Sequence, residues 1–592
     1  MLILVMGVTG SGKTTIGLRL AARLKLPFHD ADEYHPLENL RKMARNEPLD
    51  DADRWPWLER LARESRAWQA HGGAVLACSA LKQAYRRVLL GEVDRARIVY
   101  LKIELSSVVE RLEGRRGLHE IVSDFDRILA GQFRDLEEPE GAIAIPARLT
   151  PPEIVERAAR RLAREGLTGG RVRIAEGGPD THIDEQQARS LIDGLVSELP
   201  PARRVLLIPP DYTRAHSGAG ELTQLLYERL GGAEVDVLPA VGTHRAMTVT
   251  ERESLFPRIP AQRFLEHDFR QNLLSLGEVP ASFVSEVSGG LWAAPIPCEV
   301  NAKLVQGGYD RIFSIGQLVP HEVAGIAGHS KNVFVGVGGK SAIDRTHFLG
   351  ALCGIESILG EACNPVRDVL SYMGNQLGSA LPLTHVLTVR ARDASGALRT
   401  RGLFAGDDDA CYFAGAPLAR ASNTRFLSEP EAKVVVYLHP AEYKSTWLGN
   451  KAIYRARLAL RKGGELVVIA PGVDRFGEDP DIDRLVRRHG YYGRERTLAA
   501  VASDPELAGT LAAAAHLIHG SGEGRFRVVY AAGGLSPSEL AAVGYESMSV
   551  DDALQRYEPT RMSEGVNVLP DGERIFFVSN PALGLWDART RH

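Results

Sequence analysis

Gly7-Val8-Thr9-Gly10-Ser11-Gly12-Lys13-Thr14 fits the pattern GxxxxGK[ST] in full, between the apolar run Met1-Leu2-Ile3-Leu4-Val5-Met6 and the amphipathic stretch Thr15 to Leu24. That context predicts a buried strand, a glycine loop and a helix, the setting in which a P-loop works. Gly7, Gly10 and Gly12 let backbone N–H groups close around phosphate oxygens, and the helix N-terminus adds partial positive charge. Lys13 is expected to meet the β and γ phosphates of ATP, the Thr14 hydroxyl to bind Mg2+, and Thr15 to extend the nucleotide contacts. The apolar run has no basic lead and ends directly in the glycine loop, so it reads as a strand and not as a signal peptide.

Working outward, 592 residues exceed what one core holds and suggest three or four structural domains. A net charge of −4 leaves no basic footprint for nucleic acid. No apolar run approaches the ~18 residues of a membrane span, so no membrane association and a cytoplasmic location are expected. The cysteines (Cys78, Cys298, Cys353, Cys363, Cys411) form no CxxC pair, which argues against a zinc ribbon or disulfide scaffold. Composition does not specify whether the chain forms a homo-oligomer.

Short β-rich runs alternate with helical stretches: Val205–Ile208, Glu234–Leu238, Arg311–Ile315, Val386–Arg390, Val434–Tyr437, Glu465–Ile469 and Arg527–Tyr530. This predicts α/β domains with mainly parallel sheets. Seams are expected at Leu167–Gly170, near Asp393–Gly396 and near Ser428–Glu431. The expected division is 1–166, 171–428 and 429–592.

In the first segment, Phe28-His29-Asp30-Ala31-Asp32-Glu33-Tyr34-His35-Pro36 puts acidic side chains at a strand end opposite the P-loop. Such groups suit binding and deprotonation of an attacking hydroxyl. Next come Pro48-Leu-Asp-Asp-Ala-Asp-Arg-Trp-Pro-Trp57 and Ala77-Cys-Ser-Ala-Leu-Lys-Gln-Ala-Tyr-Arg86. Taken singly, Lys82 and Arg86 are an i,i+4 pair that more often marks a solvated helix face. His29 and His35 alone read as structural about as readily as functional.

With Gln132-Phe-Arg-Asp-Leu-Glu-Glu-Pro139, these motifs resemble the gluconokinase family over essentially the whole first segment. The resemblance implies a P-loop kinase fold, a parallel sheet flanked by helices, with ATP, Mg2+ and a sugar acid as ligands. It implies that Asp32 lies near the acceptor hydroxyl and Mg2+ as a catalytic group beside Lys13. His35, Lys82 and Arg86 would be candidates for holding the sugar-acid carboxylate, and Arg115 or Arg116 in the lid would stabilise the transferring phosphoryl group. The lid departs from the family: Leu118-His119-Glu120-Ile121 stands where His-Phe is usual.

Beyond Gly170, polar clusters end several strands: Asp211-Tyr-Thr-Arg214, Gly242-Thr-His244-Arg245, and Pro320-His321 through Lys331, with His347 sixteen residues further on. Lys451 opens a helix. Strand ends are where open α/β sheets bind ligands. His244 and His321 could form an acid/base pair, and Arg214 and Lys451 could bind an anion. Scattered structural histidines explain the same residues about as well.

The order and spacing of DxTR, GTHR and PHxxxGxxGxxK resemble the nickel-pincer lactate racemase family from Ile174 to His592. The resemblance implies a two-lobed α/β region and a pyridinium dithio-mononucleotide attached to Lys331, with nickel on His347. His244 and His321 would flank the substrate α-carbon, Arg214 and Lys451 would hold its carboxylate, and Asp211 would support the site. Separate cofactor-biosynthesis enzymes would be required. Trp447-Leu448 and Gly328-His329-Ser330 depart from the usual lactate-enzyme residues and suggest another 2-hydroxy acid; His329 reads as a solvent-facing loop residue. Ala531-Ala-Gly-Gly534 lacks a full GxGxxG, so no nicotinamide site is expected. The two resemblances together imply an aldonate enzyme that epimerises a sugar acid at C2 and phosphorylates gluconate; the alternatives are a racemase of another 2-hydroxy acid fused to a gluconokinase, or a non-catalytic aldonate-binding module that regulates the kinase.

Overall fold

The computed structural model describes residues 1–24, 26–45, 47, 49–70, 72–91, 93, 96–105, 108, 122–164, 172–393, 395–581 and 584–589. The chain divides into two compact units, Met1–Arg171 with Asp408–Phe413, and Val172–Asp407 with Ala414–His592. The seam at Leu167–Gly170 and the lid residues Arg115, Arg116 and Leu118–Ile121 lie outside the described residues.

The first unit is built on five parallel strands: β1 (Leu2–Met6), β2 (Phe28–Asp30), β3 (Ala74–Ala77), β4 (Ala96–Lys102) and β5 (Ile143–Pro146), in the order β2-β3-β1-β4-β5. The central strand β1 is buried throughout because helices cover both faces. Alternate side chains serve opposite cores. Ile3 and Val5 pack with Ile16, Leu20 and Leu162, while Leu2, Leu4 and Met6 pack with Trp57, Leu58 and Leu61. The helix Lys13–Leu24 starts at the P-loop lysine, and Asp51–Ala70 and Gln83–Leu90 lie on the opposite face.

The second unit holds two six-stranded sheets. The first comprises β6 (Val172–Gly177), β7 (Arg204–Ile208), β8 (Glu234–Val237), β9 (Arg311–Gln317), β10 (Leu383–Arg392) and β11 (Leu398–Gly406), in the order β6-β11-β10-β9-β7-β8. Strands β10, β9, β7 and β8 are parallel, while β11 and β6 run antiparallel to their neighbours. Asp393–Gly396, expected as a seam, instead belongs to the hairpin joining β10 to β11. The Asp393 carboxylate accepts from the Ser395 and Ala397 amides at 2.9 and 3.0 Å, which closes the turn locally.

The second sheet comprises β12 (Glu431–Tyr437), β13 (Leu460–Ala470), β14 (Phe526–Ala532), β15 (Glu546–Ser547), β16 (Gly565–Val568) and β17 (Arg574–Val578), in the order β15-β14-β13-β12-β17-β16. Only the β16–β17 pairing is antiparallel. The chain end returns to the start of this lobe, where Trp586–Asp587 pairs with Arg425–Phe426. Among the described residues no helix is long and apolar enough to cross a membrane.

Candidate active sites

In the first unit the P-loop joins β1 to the helix Lys13–Leu24. Gly10 and Gly12 hold φ of 81° and 95°, a region that favours glycine and turns backbone amides inward. Lys13 Nζ donates to the Val8 carbonyl at 3.0 Å. Burial lowers its pKa, opposed first by the carboxylate of Asp32. The Thr14 hydroxyl donates to Asp30 Oδ2 at 2.8 Å, while Asp30 Oδ1 accepts from the Asp32 amide at 3.1 Å. Asp30, at the end of β2 and capping the short helix Ala31–Tyr34, is therefore the carboxylate set beside the Thr14 hydroxyl. Asp32 lies two residues further on, in the turn that Asp30 caps, with a largely exposed side chain 3.9 Å from His35 Nε2. Thr15 follows on the helix, half-buried.

His35 stacks on Trp57 at 4.3 Å between ring centroids, and its Nδ1 meets the Asn39 amide nitrogen at 3.3 Å. Burial, first of all, lowers its pKa. Lys82 pairs with Asp51 at 2.9 Å, and that hydrogen bond raises its pKa. Tyr85 also donates to Asp51 and accepts from Arg54.

Arg86 differs from the expected carboxylate-binding role. It is buried, and its Nη1 donates to the carbonyls of Ala80 and Leu81 at 2.9 and 2.7 Å. Ala80 has φ of 37°, a strained value for a residue with a side chain, and the guanidinium clips that turn in place. Gln132 grips the P-loop from the helix Val122–Asp135: its Oε1 accepts from the Thr9 amide at 2.7 Å and its Nε2 donates to Thr9 Oγ1 at 2.9 Å.

In the second unit, the carboxyl ends of β7, β8 and β9 converge on a cleft of about 230 Å³. Its walls carry Asp211, Arg214, His244, His321, Lys331 and His347, so six residues expected to act together do share one cleft. Lys451 is not on its wall, but it lies within electrostatic reach of Glu322 and Arg214; burial lowers its pKa.

His244 Nδ1 lies 2.7 Å from Asp211 Oδ2, and Thr213 donates to Asp211 Oδ1 at 2.6 Å. Burial alone would raise the Asp211 pKa, but the bonds from His244 and Thr213 prevail and hold it below its ordinary value. His321 sits in a two-residue ladder, Pro320–His321 against Gly325–Ile326, and its Nδ1 accepts from the Val323 and Ala324 amides at 3.0 and 3.2 Å. Burial, then Lys331, keeps its pKa well below the ordinary imidazole value. Burial and Arg214 push Lys331 down to about 8.

His347, on the helix Lys340–Cys353, donates Nδ1–H to the Ile343 carbonyl at 2.7 Å, which leaves the Nε2 lone pair free. A neutral imidazole held through its second nitrogen is how protein metal ligands are usually oriented. A lysine with a lowered pKa, a fixed imidazole and the neighbouring Arg214 fit a Lys-tethered anionic nucleotide carrying nickel.

Sequence reasoning passed over Thr213 and Glu322. The Glu322 carboxylate lies 3.4 Å from Arg455 of the other lobe; burial would raise its pKa, but His321 and Arg455 lower it. Its place directly after His321 was the available signal. His329 is corrected: it is buried, with φ of 57°, and stacks on His385 at 3.7 Å.

A family model described as the lactate racemase N-terminal domain matches residues 192–357, and one described as shikimate kinase matches 9–133. The gluconokinase of Gluconobacter oxydans is 36% identical over 167 residues, 28% of this chain and 92% of that protein. The thermosensitive gluconokinase of Escherichia coli is 37% identical over 138 residues, 23% of this chain and 72% of that protein. A probable gluconokinase of Xenopus tropicalis is 54% identical over 94 residues; this match takes in 15% of the chain and about half, 48%, of that relative's length.

Two solved structures share the fold of the second unit. A Thermotoga maritima protein has a TM-score of 0.57 at 24% identity, covering 70% of this chain and all of that one. The lactate racemase apoprotein of Thermoanaerobacterium thermosaccharolyticum has a TM-score of 0.52 at 16% identity, covering 69% and 93%. The chain therefore belongs to the gluconokinase family through its P-loop unit, which is fused to a lactate racemase-like α/β region.

Proposed function

We propose that the protein is a bifunctional aldonate enzyme. Its first unit transfers the γ-phosphoryl group of ATP to gluconate, giving 6-phosphogluconate. Its second unit inverts C2 of a 2-hydroxy sugar acid, as in the interconversion of D-mannonate and D-gluconate. For the kinase, the supporting observation is the Lys13–Thr14–Asp30 arrangement at the P-loop. Lys13 meets phosphate charge, Thr14 and Asp30 flank the Mg2+ position, and Asp32 stands next along the chain for the acceptor hydroxyl.

For the second unit, the observation that carries the reading is the single cleft joining Asp211, Arg214, His244, His321, Lys331 and His347. A nickel-pincer nucleotide on Lys331 and His347 would supply a hydride acceptor. The chain's own residues bind and orient the substrate: Arg214 faces its carboxylate, and the histidines face its C2 hydroxyl. Lys451, reached from the second lobe, adds positive charge. Gluconate is itself a 2-hydroxy acid, so one compound satisfies both chemistries.

The test is to incubate protein matured with its cofactor enzymes with D-mannonate, with and without ATP. Gluconate alone is expected without ATP, and 6-phosphogluconate with it. Absence of both products refutes the reading. Turnover of another 2-hydroxy acid, with gluconate still phosphorylated, separates the two activities.

A further inference from the structure

Three histidines face the cleft, and each has one ring nitrogen fixed by a partner of unambiguous character. A carbonyl oxygen only accepts, so His347 carries its proton on Nδ1. The Asp211 carboxylate, held below its ordinary pKa, also accepts, so the His244 proton is on Nδ1 and its lone pair on Nε2. Backbone amides only donate. The Nδ1 of His321 accepts from two of them, at 3.0 and 3.2 Å, and therefore carries no proton. The single proton of a neutral His321 ring is on Nε2.

The His321 tautomer is built into the backbone. The ladder that presents the Val323 and Ala324 amides turns at Gly325, where φ is 74°. A side chain there would collide with the Glu361 carbonyl oxygen and the Asn364 amide. Asn364 also donates to the Ala324 carbonyl at 3.1 Å. Reversing the His321 tautomer would set an Nδ1–H against two N–H donors and leave both amides unpaired, which disfavours it strongly.

We infer that the two histidines beside the substrate have unequal roles: His244 Nε2 is the one base, and His321 acts only as an Nε2–H hydrogen-bond donor to the C2 oxygen. This rests on the racemase reading of the cleft. A bound hydride-accepting cofactor would take the C2 hydride and return it to the opposite face; His244 Nε2 would hold the hydroxyl proton meanwhile and give it back to the same oxygen, so that atoms and charge balance and only configuration changes. Throughout, His321 stabilises negative charge on that oxygen, as a neutral imidazole does when it polarises a carbonyl. His244 is the more exposed of the two, its side chain 51% accessible, which leaves its Nε2 open to the substrate side of the cleft.

Two readouts test this. In full-length apoprotein with 15N-labelled histidine, the His321 signal, identified by its loss in His321→Gln, should show protonated Nε2 and bare Nδ1 at neutral pH. The opposite tautomer overturns the proposal whatever the activity. In cofactor-loaded enzyme given D-mannonate, His321→Gln keeps an N–H donor but has no base. It should retain interconversion within about a hundredfold of wild type, whereas His244→Gln should lose it altogether. A folded His321→Gln protein, with unchanged melting, that is as inactive as His244→Gln overturns the donor-only role. If loaded wild type inverts no 2-hydroxy acid, the racemase reading itself fails, and the nitrogen signals still decide the tautomers.

Discussion

The lowered pKa of Lys331 makes a quantitative demand on its chemistry. Burial and the neighbouring Arg214 bring its pKa to about 8. At pH 7.5 roughly 24% of such an amine is unprotonated, against about 0.1% for a lysine near its ordinary 10.4, a difference of about 200-fold. The less basic amine is a weaker nucleophile, which removes part of that gain and leaves a net preference of about an order of magnitude. Trace acetylation of the apoprotein, quantified by peptide mass spectrometry between pH 6 and 11, reads this directly. Lys331 should label well ahead of the exposed Lys462, with a midpoint near 8. The sign follows from the charges around it. Arg214→Met removes a like charge and should move the midpoint up, whereas Glu322→Gln removes an opposing charge and should move it down. A midpoint above 10, or labelling no faster than Lys462, refutes the argument that this amine is preset for attachment.

Four further substitutions test the geometry. Asp30→Asn should lower Mg2+-dependent gluconate phosphorylation about a hundredfold in a coupled ADP assay, since it removes charge beside Thr14; unchanged turnover would remove Asp30 from the metal site. Gln132→Ala should raise the KM for ATP about five- to thirtyfold by freeing the Thr9 amide and hydroxyl, and steady-state kinetics would show it. Asp211→Asn should slow C2 inversion about ten- to 150-fold, the loss of a charge-assisted hydrogen bond of about 1.5–3 kcal/mol. Because the folded-state pKa of Asp211 is lowered, its contribution to stability is present above about pH 4 and is lost as pH falls through the folded value; acid melting curves of Asp211→Asn should lack that part of the decline. Gly325→Ala should cost about 3 kcal/mol in denaturant unfolding, and a change below about 0.5 kcal/mol would contradict the tight turn at that residue.

What the sequence disclosed depended on how local the physics was. The P-loop, its strand and its helix are neighbours in the chain, so eight residues were enough to expect them. Parallel strands were legible because β-rich runs end in polar loops, and residues at those ends (Asp211, His244, Lys331) share a cleft by the geometry of the sheet itself. Arg86 was misread because its partners, the carbonyls of Ala80 and Leu81, matter only once Ala80 adopts a positive φ, which no side-chain pattern announces. Asp393–Gly396 has the composition of a linker and of a hairpin turn alike, and only the pairing of β10 with β11 decides between them. His329 looked loop-like because its stacking partner, His385, is remote in the chain.

Proton placement lies deepest below the sequence. The sequence makes His244 and His321 look like equals, each a histidine in a strand-end loop. What separates them is one backbone turn: a carboxylate accepts from the first ring, and two amides donate to the second. A motif that conserves residue types therefore leaves acid/base polarity unspecified, because the amides that set it belong to Val323 and Ala324, whose side chains are immaterial to the bond. The constraint falls on Gly325 instead, where a side chain would push the turn away from Glu361 and Asn364. Substituting that glycine should thus disturb the His321 tautomer as well as stability, a coupling that a purely structural role for the turn would not produce.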